Sequence, residues 1–312
     1  MPLTTDQQKK EAKIDGFVAN FVKKDCAPKG EANFVDGFGF LRTVSRGGRD
    51  VPRPPGTIRL VIVSDTHEKH EMLDMPPGDV LVHCGDSFML NQHYSQETSR
   101  QKLQTFNAWL SRLPYREKVV IGGNHDAALQ AMGRDAVRQA LPSAIYLENE
   151  AAVLPISGLR VFGSPTSVPN SERSQNRAFQ AGLDGMDDLF ATAVAPSSVD
   201  LLVMHGPPHL IPAAKKYIEQ QAQTPGSSLA CVAWGHVHEL HGSSLLGRRE
   251  GDSSAGGVVG INASTMGATF GPTNAPVLFD IRINSPETGE SDATDEEGVG
   301  EKAVGRPGNA RL

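Results

Sequence analysis

Five short blocks of the sequence carry residue types that bind metal ions, and each block follows an apolar run. The blocks are Asp65-Thr66-His67, Gly85-Asp86, Gly123-Asn124-His125-Asp126, His205-Gly206 and Gly235-His236-Val237-His238. The candidate ligands within them are Asp65, His67, Asp86, Asn124, His205, His236 and His238. Carboxylate, amide oxygen and imidazole ligands without a thiolate favour Mn, Fe or Zn over a structural, cysteine-rich zinc centre.

This ligand set predicts a pair of ions, because seven ligands are too many for one. Two divalent ions about 3.5 to 4 Å apart can share a bridging carboxylate, and Asp86 is the natural bridge. Two dications lower the pKa of a shared water to near neutrality, which supplies a hydroxide, and they neutralise phosphoryl oxygens. A phosphoester is the substrate that such a pair attacks best. His125, next to the ligand Asn124, is placed to protonate the leaving oxygen as a general acid.

Buried strands are predicted to position these blocks. Eight short runs rich in β-branched residues are bounded by turn residues, at 59–64, 80–84, 118–121, 159–162, 200–204, 230–234, 258–262 and 277–281. An apolar residue recurs every three or four positions at Leu103, Phe106, Leu110 and Leu113. That spacing predicts a helix, and a second helix is predicted over 127–140. Because strand ends of an α/β sheet point into a common crevice, blocks that are remote in sequence are expected to converge there.

Strands and helices alternate in the first half of the chain, whereas the second half holds more strands. This order predicts an α/β domain with more than one sheet over residues 57–283. Residues 1–56, which end in a proline-rich stretch, are predicted to be a partly irregular lead-in. Residues 284–312 are rich in Glu, Asp, Gly, Ser and Thr and poor in large apolar residues, so they are predicted to form a disordered acidic tail.

The formal net charge of −6, from 30 basic and 36 acidic residues, provides no overall positive field for nucleic acid or anionic lipid. Cys26, Cys84 and Cys231 lie far apart and are predicted to be free thiols of a reducing compartment. The polar N-terminus has no secretory h-region, and no apolar run approaches the ~20 residues that cross a bilayer. We expect a cytoplasmic protein whose partner is a small phosphoester or nucleotide rather than a membrane or nucleic acid. The oligomeric state does not follow from the sequence.

In their order, the five blocks resemble the calcineurin-like metallophosphoesterase superfamily, whose pattern is D-x-H, G-D, G-N-H-D/E, H and G-H-x-H. Further stretches resemble its class III branch, which includes the metallophosphoesterase domain-containing (brain-type) proteins of animals. These stretches are 75–79, 106–110, 205–208, 261–265 and 272–280. The resemblance covers residues 57–282 and implies the calcineurin-like phosphoesterase fold, in which two packed, mixed β-sheets are flanked by α-helices.

The resemblance also implies a role for each block. One metal ion would be bound by Asp65, His67, Asp86 and His238. The other would be bound by Asp86, Asn124, His205 and His236. His125 would protonate the leaving group or hold the phosphate, and the candidate substrate-binding residues are Asn124, His125 and His209. His209 and His241 flank ligand blocks, so the sequence leaves open whether they touch substrate or support the ligands.

Departures from the wider superfamily pattern narrow the function. Protein serine/threonine phosphatases extend the second block to G-D-x-x-D-R, whereas Gly85-Asp86 is followed here by Ser87-Phe88-Met89-Leu90, which argues against protein phosphatase activity. Some class III members carry glycine where this chain has His236, so the complete ligand set favours catalysis. We therefore predict a phosphodiesterase for small phosphodiesters such as cyclic nucleotides. The alternatives are a nucleotide-binding regulatory or scaffold module with little hydrolysis, and a nuclease, which the acidic balance disfavours.

Several other residues that could carry chemistry have simpler interpretations. Core or surface positions are predicted for His70, His83, His93, Trp109 and Trp234, which lack a motif position or basic and aromatic companions. Arg173 and Arg177 could contact phosphate, but a solvated loop is the better interpretation of their polar surroundings.

Overall fold

The computed structural model describes residues 32–35, 41–44, 48–49, 51–89, 95–169, 174–194, 198–248, 257–267 and 271–282. The predicted acidic tail and most of the predicted lead-in lie outside these residues, as do Cys26, His93 and Arg173. The described strands are β1 (Ala32–Val35), β2 (Leu41–Val44), β3 (Thr57–Val63), β4 (Val80–His83), β5 (Glu117–Val120), β6 (Ile145–Tyr146), β7 (Glu150–Val153), β8 (Arg160–Ser164), β9 (Leu201–Met204), β10 (Cys231–Trp234), β11 (Gly242–Arg248), β12 (Gly257–Asn262) and β13 (Val277–Arg282).

The strands form two sheets. The first has seven strands in the order β2-β1-β13-β3-β4-β5-β6, and the second has six in the order β11-β12-β10-β9-β8-β7. Strands β3 to β6 run parallel to one another, as do β8, β9, β10 and β12. Antiparallel pairs join β2 to β1, β13 to β3, β7 to β8 and β11 to β12. Both sheets are therefore mixed, which confirms the predicted fold class.

An apolar core lies between the sheets and holds residues from both. Leu60 and Ile62 of β3 belong to the same buried cluster as Val203 of β9 and Ala233 of β10. The intervening residue Val61 belongs to a second cluster, on the outer face of the first sheet. Because successive side chains of a strand point to opposite faces, β3 is buried on both. A strand that is buried on both faces is apolar throughout, which explains the continuous apolar runs in the sequence.

Helices cover the outer faces of both sheets. The first sheet packs against α1 (Gln96–Arg112), α2 (Ala127–Met132) and α3 (Arg134–Ala140). The second packs against α4 (Leu183–Leu189), which continues as a π-helical turn over Phe190–Val194, and α5 (Pro212–Gln223). Helix α1 begins after Ser95, whose hydroxyl oxygen accepts a hydrogen bond from the backbone N–H of Thr98. No helix in the described part of the chain is long and apolar enough to cross a membrane.

The predicted elements agree with the observed ones, with three differences. All eight predicted strands are present within two residues of their expected ends, and α1 is the first predicted helix. The second predicted helix is instead two helices, because Gly133 has a φ of 79° that a helix does not accommodate. Strands β1 and β2 lie inside the predicted lead-in, and β1 pairs with β13. Strands β6, β7 and β11 were also not predicted.

Candidate metal centre

The candidate ligands lie in loops that follow parallel strands of both sheets. Asp65 follows β3 and Asp86 follows β4 in the first sheet, whereas His205 follows β9 and His236 follows β10 in the second. The two sheets meet at this edge, where an isolated parallel bridge joins Ser64 to the 264 position. The loops that leave the two sheets therefore face each other, and the blocks converge as the sequence predicted.

One group of candidate ligands comprises Asp65, His67 and His238. The Nε2 atom of His238 lies 3.4 Å from Asp65 Oδ1 and 3.2 Å from His67 Nε2. The candidate ligand atoms of these three residues all lie within 4.8 Å of one another, which is close enough for a single ion to bind them together.

A second group comprises Asn124, His205 and His236. The amide oxygen Oδ1 of Asn124 lies 2.9 Å from His205 Nε2 and 2.7 Å from His236 Nδ1. The two imidazole nitrogens are 3.2 Å apart. All three side chains therefore direct their ligand atoms to one point.

Asp86 connects these two groups. Its Oδ2 atom lies 3.4 Å from His205 Nε2. The Asp86 carboxylate forms one group with ligand atoms of Asp65 and His205, and a second group with those of His67 and His125. Within each group the ligand atoms all lie within 4.8 Å of one another. All seven predicted ligands are thus brought together, with Asp86 between the two groups as expected of a bridge.

The arrangement of the histidine ring nitrogens in the cluster favours a bound cation. His67 Nδ1 donates to the carbonyl oxygen of Phe88 and His205 Nδ1 donates to that of Cys84, each at 2.9 Å. When these rings are neutral, their Nε2 atoms therefore carry lone pairs. The lone pair of His205 Nε2 then faces another acceptor, Asn124 Oδ1. Because facing acceptors repel one another unless a cation lies among them, these residues fit divalent metal ions.

The electrostatics of the two aspartates support the same conclusion. Burial would raise the pKa of Asp65, but the hydrogen bond and charge of His238 hold that pKa well below its usual range. Burial would likewise raise the pKa of Asp86, and the charge of His205 lowers it strongly. Burial opposes protonation of His205 in turn, yet the charge of Asp86 raises the pKa of His205 to about 9. Two buried carboxylates therefore remain ionised and attract positive charge, which a proton or a metal ion supplies.

Four of the candidate ligand residues have left-handed backbone conformations. Their φ angles are 53° at Asp65, 42° at His67, 55° at Asp86 and 70° at His236. Such conformations are unfavourable for residues other than glycine and persist only where surrounding contacts hold them, which is common at functional sites. The backbone N–H of His236 donates to both carboxylate oxygens of Asp65 at 3.1 and 3.0 Å, and this contact holds the loops of the two sheets together.

Asp126 supports the ligand loops without being a predicted ligand. Its carboxyl group accepts hydrogen bonds from the backbone N–H groups of Gly123, Phe88 and Ser87, at 2.8, 3.0 and 3.3 Å. Burial and the nearby charge of Asp86 raise the pKa of Asp126 to about 8. Asp126 therefore ties the loop after β5 to the loop after β4. Its place in the third block was visible in the sequence, but its role was not.

His125 lies at the edge of the cluster. Its backbone N–H donates to Asp86 Oδ1 at 2.8 Å, and its Nε2 atom lies 4.0 Å from Asp86 Oδ2. Its ring centroid is 4.6 Å from that of His67. Burial lowers the pKa of His125 to about 4, against the opposing effect of Asp86. His125 thus places a side-chain nitrogen next to the cluster and remains partly accessible.

The other histidines occupy different surroundings. His209 is half-buried in the 3-10 turn Pro208–Leu210, where burial lowers its pKa to about 4, and its contact with substrate stays a prediction. His241 Nε2 hydrogen-bonds the Asn33 side chain at 3.0 Å, in a supporting position. His70 and His83 are buried against Phe106, as expected of core histidines.

The remaining interpretations concern the tryptophans, the cysteines and Arg177. Trp109 and Trp234 are buried in apolar clusters, as predicted. Cys84 and Cys231 are free and buried. Arg177 is exposed, and its Nε donates to the carbonyl oxygen of Ser174 within the same loop.

Comparison with known proteins gives a family and several relatives. The model of the family described as calcineurin-like phosphoesterase matches residues 58–240. Metallophosphoesterase domain-containing protein 1 of Homo sapiens is 27% identical over 272 residues, which cover 74% of this chain and 73% of that protein. UPF0046 protein C25E10.12 of Caenorhabditis elegans is 27% identical over 271 residues, which cover 77% of this chain and 86% of that protein. The solved structure of TT1561 of Thermus thermophilus aligns over 66% of this chain and 88% of that chain, with a TM-score of 0.45 and 10% identity.

Proposed function

The chain belongs to the calcineurin-like phosphoesterase family. From that premise we propose that it is a phosphodiesterase, which uses two divalent metal ions to hydrolyse small phosphodiesters such as cyclic nucleotides. Membership of the family makes it a hydrolase of phosphoesters that depends on metal. The diester preference, the number of ions and their identity as Mn, Fe or Zn are the proposed part. The observation that supports the proposal most strongly is the cluster of Asp65, Asp86 and His205, whose ligand atoms lie within 4.8 Å of one another.

The ligand groups indicate how the ions would be held. One ion would be bound by Asp65, His67, Asp86 and His238, and the second by Asp86, Asn124, His205 and His236. Bound there, the ions would lower the pKa of a shared water toward neutrality and would neutralise the phosphoryl oxygens of the substrate. Asp65, Asp86 and His205 are fully or almost fully buried, so the protein keeps bulk water away from this chemistry.

His125 is proposed to deliver the proton that the leaving oxygen needs. Its Nε2 atom is next to the cluster, and its backbone bond to Asp86 fixes its position relative to the bridge. In the protein without metal, burial lowers the pKa of His125 to about 4 and so favours the neutral ring. An anionic phosphoester beside the ring adds negative charge, which favours the protonated form. The negative charge of the substrate therefore acts in the direction that a general acid requires, and it opposes the positive charge of the bound ions.

The charge of the chain supports a small substrate. With 36 acidic and 30 basic residues, the protein lacks the excess of positive charge that binds the backbone of a long nucleic acid. A single phosphodiester, in contrast, needs only the local positive charge of the metal centre. We therefore propose a small-molecule partner and no nucleic-acid or membrane partner.

The proposal is tested by the metal content and turnover of the Asp86→Ala variant. The purified protein is loaded with Mn and assayed with bis(p-nitrophenyl) phosphate and with 2′,3′- and 3′,5′-cyclic nucleotides. We expect two ions per native chain, and Asp86→Ala should lose most of the metal and the activity, because both ligand groups share that carboxylate. We expect His125→Ala to keep the metal and to lose roughly 10²- to 10⁴-fold in kcat for the nucleotides.

The matched control is His70→Asn, which alters a buried histidine outside the ligand groups and should keep both metal and turnover. Turnover that does not depend on Asp86 would contradict the proposal. Tight nucleotide binding by the native protein without any hydrolysis would replace it with the alternative of a regulatory or scaffold module.

A further inference from the structure

The turn that carries Asn124 and His125 is held from outside the metal cluster by a loop of residues 174–179. The Asn124 side-chain Nδ2 donates to the carbonyl oxygen of Asn176 at 3.3 Å. The backbone N–H of Ala178 donates to the carbonyl oxygen of Asn124 at 3.2 Å. The side-chain Nδ2 of Asn176 lies 2.9 Å from His125 Nε2. Three hydrogen bonds therefore join this loop to the turn, and one of them reaches the proposed acid.

The loop that carries Asn176 is itself held in place. Phe179 is buried in a left-handed conformation with a φ of 54°. Its carbonyl oxygen accepts a hydrogen bond from the backbone N–H of Ser167 at 3.3 Å. The backbone N–H of Ala181 in turn donates to the carbonyl oxygen of Ser167 at 3.0 Å. The Asn176 backbone N–H donates to the Ser174 hydroxyl at 3.2 Å. These contacts fix the backbone of the loop, so the Asn176 side chain is held in one position relative to His125.

The Asn176 carboxamide contacts the nitrogen of His125 that is proposed to carry the transferred proton. His125 Nε2, the atom 4.0 Å from Asp86 Oδ2, is the same atom that the Asn176 amide contacts. A carboxamide can donate to this nitrogen when the ring is neutral and, with the amide turned over, accept its N–H when the ring is protonated. Among the described residues, no group hydrogen-bonds to Asn176 Oδ1, although that atom is buried. Its oxygen is thus available to a donor such as a protonated His125.

We propose that Asn176 is a positioning residue that holds the His125 imidazole against the leaving-group oxygen during proton transfer. This inference rests on the proposed function, because Asn176 acts only through His125. In that step the bond between phosphorus and the leaving oxygen breaks, and the oxygen keeps the electron pair and takes the proton from His125 Nε2. Until the transfer, the Nε2–H is shared between the leaving oxygen and Asn176 Oδ1 in a three-centre hydrogen bond. After the product has left, the neutral ring accepts a hydrogen bond from Asn176 Nδ2, which lies 2.9 Å from Nε2. The sequence could not indicate this role, because the two residues lie 51 positions apart.

The test compares two esters that differ only in their need for a proton. Methyl p-nitrophenyl phosphate releases p-nitrophenolate, which leaves without protonation, whereas methyl phenyl phosphate releases the more basic phenolate. We expect Asn176→Ala to lower kcat about 10²-fold for the phenyl ester, because a general acid that is misplaced by about 1 Å loses a rate factor of that size. For the nitrophenyl ester, kcat should fall less than about threefold. Gln175→Ala, at the exposed neighbouring position, should leave both rates unchanged.

A second comparison separates positioning from a structural role. In a His125→Ala background, Asn176→Ala should add no further loss, and Mn content should stay at the native level in every one of these variants. An equal loss with both esters, a further loss in the His125→Ala background, or a loss of metal would overturn the inference. If Asn176→Ala does not fold, the isosteric Asn176→Asp variant replaces it and should change the ratio of the two rates at least about tenfold; an unchanged ratio would overturn the inference.

The two proposals fail in different ways. Native protein that hydrolyses both esters through Asp86, and the phenyl ester through His125 as well, with rates independent of Asn176, removes the inference and leaves the proposed function standing. Native protein that binds metal and hydrolyses neither ester removes both.

Discussion

At the scale of single residues, the site depends on how the buried carboxylate of Asp65 is oriented. Its Oδ2 atom accepts hydrogen bonds from the Ser264 hydroxyl at 2.6 Å and from the backbone N–H of His236 at 3.0 Å. Its Oδ1 atom faces His238 Nε2 at 3.4 Å. The Asp65 carboxylate therefore directs Oδ1 toward the proposed ion while Oδ2 is held by the protein.

We predict that Ser264→Ala weakens metal binding about 10- to 100-fold, because Asp65 loses the hydroxyl that restrains its rotation. Competition titrations with a chelating indicator, using Mn or Zn, measure this change. Ser228→Ala serves as the control, since the Ser228 hydroxyl donates to the carbonyl oxygen of Val199, away from the ligand groups. Equal metal affinity in native protein and Ser264→Ala would show that the hydroxyl does not orient Asp65.

At the scale of elements, the site is formed where the loops after strands of different sheets approach each other closely. Gly235 lies directly after β10, and a Cβ atom at this position would overlap the Ser64 hydroxyl and Asp65 Oδ2 in the loop after β3. The absence of a side chain at Gly235 thus permits the contact between the two sheets at the metal-binding edge. The same close approach brings the His236 backbone to Asp65.

We predict that Gly235→Ala reduces the metal content of the purified protein and destabilises it by about 1–3 kcal/mol, because the added methyl group forces the two loops apart. Metal analysis and urea unfolding measure the two effects. Gly182→Ala is the matched control, because a Cβ atom there meets nothing within 4 Å and φ is not positive. Native metal content in Gly235→Ala would contradict the role given to this close approach.

At the scale of the whole molecule, buried histidines make stability depend on pH. Burial lowers the pKa of His70 and of His241 to about 4, below the 6.5 of an unfolded chain. Between these values the unfolded state binds more protons than the folded state, so the free energy of unfolding falls as the pH falls from about 6.5 to about 4. Each buried histidine therefore leaves the free energy of unfolding at its full value above about pH 6.5 and lowers it as the pH falls toward about 4.

We predict that His70→Phe reduces the loss of stability between pH 7 and pH 5 by about 2 kcal/mol, because the aromatic ring fills the site beside Phe106 and Trp109 without titrating. Urea unfolding of native protein and variant at both pH values, with metal removed by a chelator, measures the difference. The same pH dependence in both proteins would mean that His70 does not contribute to it.

The sequence alone predicted the parts of the molecule that have strong local patterns. The eight predicted strands were recognised because their runs are short, rich in β-branched residues and bounded by turn residues. Strands β1, β2, β6, β7 and β11 were not recognised, since they lack an uninterrupted run rich in β-branched residues. Strand β6 has only two residues, and β11 mixes glycine and serine with its leucines. The interruption of the second helix needed the φ of Gly133, which its residue type permits but does not require.

The sequence by itself determined which types of candidate ligand could meet at the site, because each block holds them within a few neighbouring residues. Only the tertiary structure decided how those ligands are held. Ser264 reaches Asp65 across 199 positions, and Asn176 reaches His125 across 51. Local periodicity carries no information about which distant residues meet, because the packing of the two sheets sets those contacts. The supporting hydrogen bonds that orient the ligands and the proposed acid are therefore a property of the folded molecule.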